Sequence, residues 1–137
     1  MADNKRIVLV GAGNVATHLG MAWQKAGYEI VQVYSRTPAS ALELANRLGV
    51  GYTTSLEEIC ADADVYVVML KDAVLQELIP NIVKGRNNAL FVHTAGSMPM
   101  NVWENYVCRY GVLYPMQTFS KARDIDICCF IFSVTIY

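Results

Sequence analysis

Runs of consecutive apolar residues alternate along the chain with stretches in which apolar residues recur every three or four positions. The runs predict strands at residues 6–11, 28–35, 50–54, 64–70, 89–96 and 110–115. The runs RIVLVG and DVYVVML are apolar at successive positions, which is typical of central strands covered on both faces of a parallel sheet.

Helices are predicted between these strands from the spacing of apolar residues and from the residues at their ends. The first covers residues 14–26, with Gly27 as the stop, and the second runs from Pro38 to Gly49, with Thr37 as N-cap. A brief third helix starts at a Ser55–Glu58 capping box. The fourth covers residues 73–79, and Pro80 closes or bends it.

The alternation of strands and helices indicates an α/β fold with a doubly wound, mostly parallel sheet and right-handed crossovers. The default arrangement of such a sheet puts the first strand in the centre and the ligand beyond the carboxyl ends of the strands. We therefore expect functional residues in the loops that follow the strands.

The loop after the first strand has the pattern G-x-G-x-x-A, formed by Gly11, Gly13 and Ala16. In a dinucleotide-binding fold the first glycine makes the tight turn, the second lets a pyrophosphate approach the main chain, and the third position is small so that helix and strand pack closely. A purely structural turn is the alternative, because glycine also serves steric needs. The position of the motif at the start of the first strand–helix–strand unit favours dinucleotide binding.

The end of the second strand indicates which dinucleotide is bound. A site for NAD usually has Asp or Glu there to hold the ribose 2′-hydroxyl, whereas this chain has Ser35, Arg36 and Thr37. The Arg36 guanidinium can pair with a 2′-phosphate and stack on the adenine. The sequence therefore predicts NADP(H) as cofactor, with a solvated arginine at a helix start as the alternative.

The amino-acid composition and net charge limit the kinds of partner that the protein is expected to bind. The 137 residues are about one domain long and are 54% hydrophobic and 17% charged, which suggests that some apolar surface meets a partner or a missing segment. The net charge of -1 provides no electrostatic basis for binding nucleic acid or an anionic membrane. Only four apolar residues follow the basic pair near the start, too few for a signal peptide, so a cytoplasmic protein is expected.

The cysteines do not predict a metal site or a disulfide framework. The four residues Cys60, Cys108, Cys128 and Cys129 include an adjacent pair and no C-x-x-C. Buried or partly buried free thiols are the expected state.

Five segments together resemble a known superfamily: GAGNVA, YSRT, VVMLKDAV, HTAGS and YGVLYPMQTFSK. They are similar to the N-terminal Rossmann domain of the pyrroline-5-carboxylate reductase and deazaflavin-dependent NADP reductase superfamily. The similarity is strongest to a branch in which this domain precedes a C-terminal helical domain of unknown function. The resemblance extends from residue 5 to about residue 123, and residues 1–123 are accordingly predicted to form the dinucleotide-binding domain.

The resemblance implies a role for each matching position, and a reaction in which a hydride passes between NADPH and a small, unidentified C=N or C=O substrate. The implied cofactor contacts are Gly11, Ala12, Gly13, Asn14, Val15 and Ala16 for the pyrophosphate, Ser35, Arg36 and Thr37 for the adenosine phosphate, Met69, Leu70 and Lys71 for the ribose, and Thr94, Ala95 and Gly96 for the nicotinamide side.

The end of the chain departs from that superfamily. Its members have a helical C-terminal domain that completes the substrate pocket and forms a dimer, so the resemblance implies a homodimer. Here the chain ends at Tyr137 without a counterpart of that domain, and we expect it to be catalytically incomplete. Residues 124–137 are interpreted either as an altered or truncated end or as a last strand that leaves an apolar face for a partner.

Two residues near the expected nicotinamide side are candidates for catalysis. His93 is a candidate to donate a proton or orient the substrate, with a hydrogen-bonded core histidine as the alternative. Ser97 is a candidate to hydrogen-bond the substrate, although serine is also common in plain loops.

Two other functions remain open on the residues alone. One is a sensor or scaffold that binds NADP(H) without turnover. The other is a dehydrogenase of the 6-phosphogluconate and hydroxyisobutyrate type, which shares this start but uses a catalytic lysine in a helical domain that this chain lacks.

Overall fold

The computed structural model describes residues 6–86, 89–94, 103, 106, 107 and 109–112. The strands are β1 (Arg6–Val10), β2 (Glu29–Tyr34), β3 (Gly51–Thr53), β4 (Val65–Val68), β5 (Leu90–His93) and β6 (Arg109–Val112). The helices are α1 (Asn14–Lys25), α2 (Pro38–Leu48) and α3 (Asp72–Val83), with a single 3-10 turn at Leu56–Glu58.

The strands form one parallel sheet in the order β3-β2-β1-β4-β5-β6. The α/β prediction and the central position of the first strand are therefore confirmed. The chain winds outward from β1 to β3, then crosses back to β4 on the other side of β1. The order reverses between β1 and β4, and a crevice for a ligand is expected at the carboxyl end of that gap.

The core has two halves because side chains of a strand point alternately to the two faces of the sheet. Ile7 and Leu9 of β1 pack with α1 and α2 on one face. Val8 and Val10 pack on the other face with α3 and with Trp103. Every described residue of β1 beyond Arg6 is buried, as its unbroken apolar run predicts.

Helix α1 lies close to the sheet because small residues face it. Ala16 is fully buried, and a Cβ atom at Gly20 would lie 2.8 Å from Leu9 Cδ1 and 3.1 Å from Leu48 Cδ1. The role of Gly20 was not predicted from the sequence. The available signal was a glycine inside a helix, which costs about 1 kcal/mol relative to alanine and so usually has a packing reason.

Pro80 was predicted to close or bend its helix, and the first alternative is wrong, since α3 continues through Pro80 to Val83. The buried Arg86 anchors the end of α3. Its guanidinium donates hydrogen bonds to backbone carbonyls at the end of this helix and around the 3-10 turn. The acceptors are the carbonyl oxygens of Asn81 (3.4 Å), Ile82 (3.0 Å), Lys84 (3.0 Å), Leu56 (3.1 Å) and Ile59 (2.8 Å). These hydrogen bonds stabilise the end of α3 beyond Pro80, which itself removes one helical hydrogen bond.

The predicted capping box at Ser55 and Glu58 does not form. The Ser55 side chain makes no capping hydrogen bond to the 3-10 turn that follows it, and its backbone N–H donates to Thr53 Oγ1 at 3.0 Å. Cys60 is a partly buried free thiol, as predicted. The other three cysteines and the predicted tail at 124–137 lie outside the described residues. None of the described helices is long and apolar enough to cross a membrane.

We expect Gly20→Val to lower the free energy of unfolding by about 2 kcal/mol, because the added side chain must displace Leu9 and Leu48 in a filled core. The measurement is urea unfolding followed by circular dichroism. Met21→Val, at the exposed neighbouring position of the same helix, is the control for helix propensity. An equal loss of stability in both variants would show that the space at Gly20 is not what matters.

Candidate functional site

A cavity of about 350 Å³ opens at the carboxyl ends of β1, β4 and β5. Its volume is in the range of small-molecule sites. The residues that line it come from three separate parts of the sequence: Gly13, Asn14, Val15 and Ala16 after β1, Met69, Leu70 and Lys71 after β4, and Thr94 after β5. The structure thus brings together three of the segments that the sequence singled out.

Gly11 makes the turn that begins the site. Its φ of +126° is one that residues with side chains rarely adopt, and a Cβ atom there would lie 2.7 Å from the Met69 carbonyl oxygen. Its N–H donates to the carbonyl oxygen of Tyr34 at 2.7 Å. Gly11 therefore lies where the end of β1 is bonded to the end of β2 and passes close to the end of β4.

Gly13 serves a different need. A Cβ atom at this position would meet nothing within 4 Å, so the main chain is bare where it faces the cavity. Gly13 is the N-cap of α1, and its carbonyl accepts the N–H of Thr17 at 3.0 Å.

The first turn of α1 can bind an anion. The N–H groups of residues 14–16 have no partner within the helix, and no acidic residue lies in that turn. The helix dipole adds a partial positive charge at the same place. A phosphate fits this corner without any lysine.

The loop between β2 and α2 lies beside the glycine loop, to which the Gly11–Tyr34 hydrogen bond connects it. The buried Ser35 shapes the loop, because its Oγ accepts the backbone N–H of Thr37 at 3.1 Å. Arg36 is exposed and makes no hydrogen bond or ion pair with any other residue in the described ranges. Burial raises the pKa of the neighbouring Tyr34, and the positive charge of Arg36 acts in the opposite direction on that pKa.

His93 lies in the core and does not line the cavity. It is fully buried at the end of β5, and its Nδ1 accepts a hydrogen bond from Trp103 Nε1 at 2.8 Å. The alternative of a hydrogen-bonded core histidine fits this geometry better than a proton donor. Trp103 was not singled out in the sequence, and no local pattern links it to His93.

The remaining predicted positions are distributed as follows. Ala12 is partly buried and packs against the α1–α2 half of the core. Lys71 is exposed at the cavity rim and is the N-cap of α3. The predicted sites Ala95, Gly96 and Ser97 lie outside the described residues.

The strand order and the bare helix start at the reversal point define the class of protein: a dinucleotide-binding domain with the Rossmann fold. The model of one family, NADP oxidoreductase coenzyme F420-dependent, matches residues 6–96. The chain belongs to that family, and the superfamily resemblance seen in the sequence is confirmed.

Proteins similar to this chain include solved structures and a curated enzyme. A Bacteroides fragilis protein proposed to be an NADP oxidoreductase is 56% identical with a TM-score of 0.81, over 85% of this chain and 46% of that chain. A pyrroline-5-carboxylate reductase from Coxiella burnetii has the same fold, with a TM-score of 0.73 at 18% identity over 84% of this chain and 45% of that chain. The NADP(+) shikimate dehydrogenase of Lysinibacillus sphaericus is 36% identical over 55 residues, which are 40% of this chain and 20% of the enzyme.

The chain thus spans about half the length of the two solved structures and a fifth of the shikimate dehydrogenase. The family match and the strand order establish it as a Rossmann domain of that family.

We expect Gly13→Val to abolish most dinucleotide binding while leaving the fold intact. Its Cβ has free space, but the branched side chain would occupy the place where a phosphate meets the helix start. NADPH affinity, measured by the rise in nicotinamide fluorescence, should fall by at least about tenfold.

Gly51→Val is the matched control for this prediction. Its Cβ also meets nothing within 4 Å, and Gly51 belongs to the edge strand β3, which does not line the cavity. Unchanged affinity of Gly13→Val would rule out a phosphate at the helix start.

Proposed function

We propose that this chain is the NADP(H)-binding domain of an oxidoreductase that moves a hydride between NADPH and a small compound with a C=N or C=O group. The observation that carries the proposal is the cavity at the reversal point of the sheet. It combines bare main chain at Gly13 with the positive end of α1. On the neighbouring loop, Arg36 is exposed and pairs with no acidic residue among those that the structure describes.

The strand order supports one direction for the cofactor across the sheet. The pyrophosphate fits the first turn of α1, at the end of β1 in the middle of the sheet. The adenosine half extends over β2 toward Arg36, because β2 is the neighbour on that side. The nicotinamide half extends the other way, past Met69 and Leu70 after β4 to Thr94 after β5.

Charge favours NADP over NAD in this arrangement. The loop of residues 35–37 has no carboxylate to hold a ribose 2′-hydroxyl or to repel a 2′-phosphate. It offers the Arg36 guanidinium, which suits bidentate pairing with phosphate. The first turn of α2 has no acidic residue, so its partial positive charge acts in the same direction. The family name and the matching shikimate dehydrogenase both refer to NADP.

When bound, the nicotinamide supplies the hydride chemistry. The chain's own task is to bind and orient the cofactor and to shield one side of it with the apolar Val15, Met69 and Leu70. A small imine or carbonyl substrate is supported by the fold shared with pyrroline-5-carboxylate reductase and by the local similarity to shikimate dehydrogenase.

We expect Arg36→Ala to weaken NADPH binding by about tenfold or more and to leave NADH binding unchanged, because a hydrogen bond to a charged group contributes about 1.5–3 kcal/mol. The measurement is a fluorescence titration with both cofactors. The difference between them should shrink at high salt, since ionic screening weakens an exposed ion pair.

Arg47→Ala is the control for Arg36→Ala. Arg47 is also an arginine of the α2 region, but it lies in the last turn of that helix and pairs at the surface with Glu43. It should change neither affinity. Equal losses for NADPH and NADH in Arg36→Ala would overturn the assignment of Arg36 to the 2′-phosphate.

A further inference from the structure

One position before the cavity-lining Thr94, the chain has a fully buried histidine. His93 is the last residue of β5 and pairs in register with Val68 of β4 and Val112 of β6. The next N–H, that of Thr94, donates to the Val68 carbonyl oxygen at 3.3 Å. Thr94 directly follows His93, so a displacement of His93 would be transmitted to Thr94 through one peptide bond.

Trp103 holds His93 from the segment that leads to β6. Its indole N–H donates to His93 Nδ1 at 2.8 Å. The indole ring is fully buried and lies 5.4 Å from the ring of Phe91, which in turn stacks on Tyr66 at 5.0 Å. Two backbone N–H groups, of Tyr106 and Val107, donate to the Trp103 carbonyl oxygen at 2.9 and 3.1 Å. Trp103 is thus fixed on its ring side and on its main-chain side.

The hydrogen bond defines the state of the imidazole. An indole N–H can only donate, so His93 Nδ1 must be the acceptor and the neutral ring carries its proton on Nε2. A charged ring would place a second N–H against the indole N–H in a dry core. A group in this environment is poorly suited to exchange a proton with a substrate in the cavity, because it neither lines the cavity nor reaches solvent.

We propose that His93 is a positioning residue: its bond with Trp103 fixes the carboxyl end of β5 and thereby keeps Thr94 in place at the nicotinamide side of the cavity. This inference rests on the proposed function, since the nicotinamide half is assigned to that side by the direction of the cofactor. It replaces the hypothesis that His93 donates a proton.

Three substitutions separate the hydrogen bond from the imidazole itself. His93→Asn keeps an acceptor on the short side chain but removes the imidazole ring. His93→Leu removes the acceptor and leaves the indole N–H without it. Trp103→Phe removes the donor and keeps a buried aromatic ring, which protects the fold if the leucine variant unfolds.

The affinity for NADPH should depend on whether the His93–Trp103 hydrogen bond is present. We expect His93→Asn to bind within about twofold of the parent chain, and His93→Leu and Trp103→Phe each to bind at least about fivefold more weakly, because a small displacement at a binding site is costly. The double variant His93→Leu/Trp103→Phe should be no weaker than either single variant, since both remove the same bond.

Trp23→Phe is the control for loss of a buried indole. Trp23 packs on the opposite face of the sheet, and its Nε1 is buried without a hydrogen-bond partner, so this change should lower stability without changing NADPH affinity. The chain has two tryptophans, so Trp103 is the only fluorophore of its type in that variant. In the Trp23→Phe background, the fluorescence emission of Trp103 should change when His93→Leu removes its hydrogen-bond partner. It should stay the same when His93→Asn is added instead.

The outcomes distinguish this inference from the proposed function. If the parent chain does not bind NADPH, both are wrong. If the parent binds NADPH and His93→Leu and Trp103→Phe bind it equally well, the proposed function stands and the positioning role is wrong. The same conclusion follows if His93→Asn loses as much affinity as His93→Leu, because the imidazole itself would then be required.

Discussion

The site depends on how closely the turn after β1 approaches the end of β4. A side-chain carbon at Gly11 would lie 2.7 Å from the Met69 carbonyl oxygen, so any larger residue would have to move one strand away from the other. The tight turn lets α1 begin directly over the gap at which the strand order reverses. The helix start, with its free N–H groups, therefore faces the crevice where the sheet can receive a ligand.

This arrangement couples packing to binding. An anion held by main-chain N–H groups requires that no side chain intervene and that the helix stay close to the sheet. Ala16 and Gly20 meet the second need by their small size, with Gly20 pressed against Leu9 and Leu48. A change deep in the α1 contact would therefore alter the cavity without touching it.

The two ends of the site are held by different physical means. At the β2 end, Arg36 is exposed to solvent, where its guanidinium can adjust its position to a phosphate. At the β5 end, the buried hydrogen bond between His93 and Trp103 fixes the strand from inside the core. A charged side chain can move and still bind a phosphate, whereas a reacting ring must be held in one orientation. This difference would account for a rigid, neutral contact beneath the side of the cavity that is proposed to hold the nicotinamide.

Several local features were readable from the sequence. The strands at 6–11 and 64–70 follow from unbroken apolar runs, and the glycine turn follows from the residues at 11–16, because such patterns depend on neighbouring residues. The ends of the elements were not readable in this way: α3 runs through Pro80, and Arg86 anchors its far end by contacts with distant residues.

The sequence by itself therefore determined the α/β alternation, the glycine turn and the lack of a carboxylate after β2. Only the tertiary structure decided that the segments around Met69 and Thr94 meet the glycine loop in one cavity. It also decided that His93 is hydrogen-bonded to Trp103 in the core and does not line that cavity. The physical reason is that periodicity reports which face of an element is apolar, whereas contacts between distant segments depend on strand order and close packing, which no local spacing encodes.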